Sequence, residues 1–267
     1  MAYSVVSWRK NLSWALCSLA LLLPLPLNAQ VQVSPMVIKT ETSQGMANGV
    51  ISLTNQGTQS QRVRLSAESF TYTRTGFATA ESDPYDLSPY LMFSPRELVL
   101  EPGQTRRVRL ITRMLPSTAN GEYRSVIFAE PLRERDEAGG GLSIRARVGV
   151  TVYVKHGQVN FALTPVEASY DPTKQEFQLL VSNPSNGTVQ SKGTWTLSQN
   201  DQPLLQADID QRTVIAGGDR LFPLELPPDR TNLPAGTYQV AGQLQWSESG
   251  AVTTTPFSFD VTVPAAR

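Results

Sequence analysis

The sequence holds one histidine, His156, and one cysteine, Cys17, in 267 residues. That removes most nucleophilic and metal chemistry at once. A Ser-His-Asp or Cys-His arrangement needs a base beside its nucleophile, and a His/Cys metal set needs three or four ligands. Carboxylates are the one catalytic class left open by composition. Glu81, Asp83 and Asp86 fall in a proline-containing stretch without the regular spacing of a calcium loop, and no two carboxylates are placed as a pair. The chain is therefore expected not to be an enzyme, with no metal and no cofactor. His156 reads as a polar hinge residue, and Asn186-Gly187-Thr188, although it fits a glycosylation triplet, reads as a turn. The charged residues that do recur in a pattern are arginines: Arg62-Val63-Arg64, Arg107-Val108-Arg109 and Arg145-Ala146-Arg147. At spacing two, both arginines of a pair share one face of a strand, opposite the Val or Ala. One reading is a solvated outer face that discourages aggregation. The other is a positive face for carboxylates, and 13 of the 15 cations in residues 30–157 are arginine, the side chain suited to bidentate carboxylate binding.

The elements that must position these residues are strands. Two-residue alternation bounded by Gly, Pro, Asn or Ser runs through the chain, and no segment sustains an apolar 3.6-residue stripe. The alternation predicts strands at 31–38, 49–54, 61–70, 90–93, 97–100, 106–112, 123–129 and 142–155. A second set follows at 160–166, 176–181, 192–198, 205–209, 221–226, 236–246 and 253–263. This density of short strands and turns is that of an all-β protein of two immunoglobulin-like β-sandwich domains. No internal repeat is apparent. The boundary falls at His156-Gly157, giving domains 30–157 and 158–267. Charge supports the division: residues 30–157 carry 15 Lys+Arg against 12 Asp+Glu, net +3, and residues 158–267 carry 6 against 11, net −5. The whole chain balances at 23 and 23, which argues against nucleic-acid binding through bulk electrostatics.

Residues 1–29 read as a cleavable export signal. Arg9 and Lys10 precede the apolar run 14–27, and Ala29 closes the segment. Pro24 and Pro26 interrupt that run, so no stable membrane insertion is expected. Cys17 lies inside the signal, so the exported chain has no disulfide and stands on its core alone.

The most unusual stretch is 142–154. Leu142, Ile144, Ala146, Val148, Val150, Val152 and Val154 share one face, over a length well beyond the usual five or six residues. It is either an ordinary central strand packed wholly inside its sandwich, or an edge strand that offers apolar side chains and free backbone groups to another polypeptide. The preceding segment 133–141 ends in three consecutive glycines.

The run Ser94-Pro95-Arg96-Glu97-Leu98-Val99-Leu100-Glu101-Pro102-Gly103-Gln104-Thr105-Arg106-Arg107-Val108-Arg109-Leu110-Ile111 resembles the hallmark stretch of periplasmic pilus-assembly chaperones, the PapD-like family. Leu115-Pro116 followed by Gly121-Glu122-Tyr123-Arg124-Ser125, and Val181-Ser182-Asn183-Pro184-Ser185, are similar to further features of that family. The resemblance implies a divergent member with two Ig-like domains at an angle, located in the periplasm. Its partners would be an incomplete pilus or fimbrial subunit, stabilised by donor-strand complementation, and an outer-membrane usher to which the subunit is delivered. The donated strand would present Leu142, Ile144, Ala146, Val148 and Val150. The family anchors the subunit's terminal carboxylate with an arginine on its first strand and a lysine on the donated one. This sequence has Met36 and Thr151 there, or Val150 in the neighbouring register, and Arg145, Arg147 or Arg124 are the candidate substitutes. The alternative reading of the same sandwiches is a structural or adhesive module of a surface fibre.

Overall fold

The computed structural model describes residues 31–81, 83–132, 147–227, 233–248 and 250–265. Residues 1–30, which include the segment expected to be an export signal, and the segment 133–146 lie outside the described residues, and with them Leu142, Ile144, Arg145 and Ala146.

The first part of the chain forms β1 (Val31–Ser34), β2 (Val37–Glu41), β3 (Met46–Asn55), β4 (Gln61–Glu68), β5 (Phe70–Tyr72), β6 (Phe77–Thr79), β7 (Leu91–Ser94), β8 (Glu97–Leu100), β9 (Thr105–Arg113), β10 (Gly121–Leu132) and β11 (Val148–His156). They build a four-stranded sheet ordered β1-β3-β9-β7 and a five-stranded sheet ordered β2-β11-β10-β4-β8, with β5 and β6 as a separate hairpin. Where alternation alone predicts one strand at 31–38, the structure has two. Pro35 has no N–H for the ladder, and the chain crosses there from one sheet to the other. Pro95 makes the same crossing between β7 and β8. Val33, Ile51, Leu53, Val108 and Leu110 from one sheet meet Val63, Leu100, Ile127, Val150, Val152 and Val154 from the other, so the alternating apolar residues do fill one core between two faces.

The second part forms β12 (Thr164–Asp171), β13 (Glu176–Ser182), β14 (Val189–Gln199), β15 (Gln202–Val214), β16 (Asp219–Leu224), β17 (Gly236–Glu248) and β18 (Ala251–Val263). Sheets ordered β12-β13-β16 and β15-β14-β17-β18 enclose a second core around Trp195, Phe177, Phe222 and Tyr238. Among the described residues, no helix is long and apolar enough to cross a membrane.

Each core is closed by the same two devices. Tyr123, at the start of β10, donates its hydroxyl to the Ala119 carbonyl at 3.0 Å, and Tyr238, at the start of β17, donates to the Pro234 carbonyl at 2.9 Å. Both are the tyrosine corner of an immunoglobulin-like sandwich. Buried Asn55 donates its amide to Leu100 and Gln59, and buried Asn183 donates to Val214 and Gly187, each tying a turn to a neighbouring strand.

Candidate interaction edge

β11 has a neighbour on each side, but the two cover different lengths. β10 pairs with it antiparallel from Val148 to His156, whereas β2 pairs with it in parallel only from Thr151 to Lys155. The Thr151 N–H reaches the Met36 carbonyl at 3.1 Å, so Thr151 turns its backbone groups toward β2. Strand alternation turns the N–H and C=O of Gly149 to that same side, where β2 has not yet begun. The edge of β11 is thus closed from Thr151 onward and open at Gly149. Sequence reasoning placed one strand at 142–155; the strand that is described starts at Val148, and 142–146 lie outside the described residues.

Of the apolar residues assigned to a partner, Val148 is half-buried against its own core. Val150 is a correction. Its side chain is 1% exposed inside that core and its backbone faces β10, opposite Ile127, so it offers a partner neither. Val150, Val152 and Val154 pack inside their own core, and among the described residues the β2 side of β11 is left uncovered at Gly149.

The candidate cations are placed differently from their expected role. Arg124 is 1% exposed, pairs with Asp83 at 2.5 Å and donates Nε to the Phe70 carbonyl at 3.3 Å. It is a buried structural charge, not a surface anchor. Its cover is the β5–β6 hairpin, whose Phe70 and Tyr72 pack with Val126, Phe128 and Tyr153 on the outer face of the five-stranded sheet. Sequence reasoning missed this hairpin because its strands are three residues long and its tip is the polar Thr73-Arg74-Thr75-Gly76. Arg147 lies 3.6 Å over the Phe128 ring and bonds Glu68 Oε1 at 2.6 Å. Both partners belong to β10 and β4, so the guanidinium leans away from the open edge. Gly149 is what allows this: a Cβ there would stand 3.0 Å from Phe128 and from Val126.

The lower end of β11 leads into the junction with the second core. His156 Nδ1 lies 3.0 Å from Thr42 Oγ1, and Gly157 takes φ +63°, with Asn120 filling the space that a side chain would need. Asn186 donates to the carbonyls of Asn120 and Gln158 and accepts from the Asn160 N–H, confirming the turn reading of Asn186-Gly187. The Glu122 carboxylate accepts the Thr188 N–H at 3.1 Å, and burial pushes its pKa up. Lys155 pairs with Glu248, and Arg74 pairs with Asp219 at 2.9 Å. The opposite charges of the two parts meet at this junction.

No family model and no curated protein matches the sequence. Among solved structures, the class 5 fimbriae chaperone CfaA is similar with a TM-score of 0.53 and 12% identity, over 88% of this chain and 99% of that one. A structure described as a chaperone–tip adhesin complex in CFA/I fimbriae biogenesis is similar at 0.53 and 13%, over 89% and 100%. At such identity the likeness is one of fold: the chain has the immunoglobulin-like sandwich architecture of fimbrial chaperones.

Proposed function

We propose that this chain is a periplasmic, non-catalytic chaperone of an incomplete fimbrial subunit, which it holds by strand pairing along β11 and delivers to an outer-membrane usher. The observation that carries the reading is the unequal cover of β11, with an open edge at Gly149 directly after the alternating apolar run that begins at Leu142. An edge of this kind pairs with a foreign strand through main-chain hydrogen bonds, while alternate side chains enter the partner. Leu142, Ile144, Ala146 and Val148 would be those side chains, and Arg145 would stand on the opposite face. Each large side chain buried contributes about 1.5 to 3 kcal/mol. The shared fold supports the reading, since a structure of that fold is described as a complex with a tip adhesin. In this reading 1–29 is the export signal, 30–157 the donor domain and 158–267 the second domain.

The test is co-expression with a candidate fimbrial subunit. Changing Leu142 and Ile144 together to Asp is expected to abolish recovery of soluble subunit while the chaperone itself still folds. Undiminished subunit recovery from that variant would overturn the reading.

A further inference from the structure

Arg220 on β16 is a buried charge with no counter-charge among the described residues. It is 9% exposed and shares its face of the strand with Phe222 and Leu224 of the second core. Its Nε and Nη1 are shut off from solvent and have no hydrogen-bond acceptor. The guanidinium carbon lies 4.7 Å from the centre of the Tyr72 ring, which covers it from the β5–β6 hairpin. The charge that faces it is a second cation, half-buried Arg212 on β15. Burial first, and then that cation, push the Arg220 pKa down. Asp219 lies on the opposite face of β16 and is held by Arg74 at 2.9 Å. Arg124 is the contrast, since it is as deeply buried and has Asp83 for its charge. A guanidinium keeps its proton, so burying it beside another cation is costly until an anion completes it.

The seam around Arg220 is built from both cores. The β5–β6 hairpin reaches over from the first, and the Arg74 carbonyl at its tip accepts the Leu221 N–H of β16 at 2.9 Å. The Arg74–Asp219 pair beside that bond is in contact with solvent, so the seam opens to the surface there. We infer that Arg220, Arg212 and Tyr72 form a binding site for a small oxyanion, a phosphate or a carboxylate, between the hairpin and strands β15 and β16. Such an ion accepts the free N–H groups of Arg220 and removes its repulsion with Arg212. Because the walls belong to both cores, the bound ion also stiffens their junction. The site is separate from the open edge of β11 and stands whether or not a subunit pairs there.

The test follows the arginine Nε–H signals of the full exported chain by proton–nitrogen NMR, with the Arg220 signal identified by its loss in Arg220→Met. Sodium phosphate, sodium acetate and sodium chloride are added in separate titrations at constant ionic strength. The Arg220 signal is expected to move saturably with phosphate or acetate, with half-saturation at about 10 mM or below, and to stay in place with chloride. A response to phosphate alone marks a site for a dianion, and a response to acetate alone a site for a carboxylate. At saturation the melting temperature should rise by about 2 °C or more over the chloride reference. Arg220→Met should lose that rise, and Arg212→Gln should weaken binding by about fivefold or more. A signal that neither oxyanion moves would mean that water alone satisfies the guanidinium, and would overturn the site. So would a signal that chloride moves as far, a melting rise kept by Arg220→Met, or an affinity unchanged in Arg212→Gln.

Discussion

Arg124 carries a full charge into the interior, and its cost is met by one carboxylate, Asp83, lying 2.5 Å away. Removing one partner of such a pair leaves the other charged and desolvated, which costs about 3–5 kcal/mol. Asp83→Ala is accordingly expected to lower stability by that amount in urea unfolding; a change below about 1 kcal/mol would show that solvent reaches the guanidinium. Glu122 poses the opposite case, a carboxyl whose pKa is raised chiefly by burial, while the Thr188 N–H and Lys155 act to lower it. Because its folded pKa lies above its unfolded one, ionisation weakens the fold. The penalty is absent below the unfolded pKa of about 4.3 and grows as pH rises through the folded value. Glu122→Gln keeps an acceptor for Thr188, so its melting temperature should exceed that of the natural chain at pH 7 and converge with it toward pH 4. Equal melting temperatures across that range would contradict the burial of this group. Neither role was legible from the residues around them. Asp83 is 41 positions from Arg124, and the Thr188 that Glu122 meets is 66 positions away, separations that alternation along one strand does not bridge.

At the level of elements, β10 and β11 show how far a two-residue period reaches. It placed Val150, Val152 and Val154 on one face, and they are core residues. It also predicted β9, β13 and β17 close to their observed spans. It did not show where an edge is covered, because that depends on where β2 begins after the sheet crossing at Pro35. Nor did it explain Gly149, a weak strand former in the middle of a valine run. The ring of Phe128 and the methyl of Val126 occupy the space its Cβ would take. Gly149→Val, favourable by strand propensity, is expected instead to destabilise by about 1–3 kcal/mol through overpacking. Chemical denaturation checks the sign; a stabilised variant would mean that the ring moves aside at little cost.

Across the whole molecule, the two cores repeat one plan at low sequence similarity. Leu115-Pro116 before Gly121-Glu122-Tyr123 and Leu233-Pro234 before Gly236-Thr237-Tyr238 are the sequence trace of the paired tyrosine corners. The different spacing between Pro and Gly hides the match from a search at fixed period. The junction between the cores is polar and joined by single hydrogen bonds and ion pairs, several of them from β11 or its neighbours: Lys155 to Glu248, Glu122 to Thr188, Lys39 to Gln190. β11, the strand with the open edge, thus also carries Lys155, one of the side chains that tie the two cores together. The central claim is that this edge is open in the free chain and closed by a subunit. Residue-resolved amide hydrogen exchange tests it most directly. In the free chain the Gly149 amide should exchange fast while those of Thr151 and Tyr153 are protected, and in the complex with a co-expressed subunit Gly149 should become protected as well. A Gly149 amide already protected in the free chain, or one that remains fast in the complex, would contradict the account.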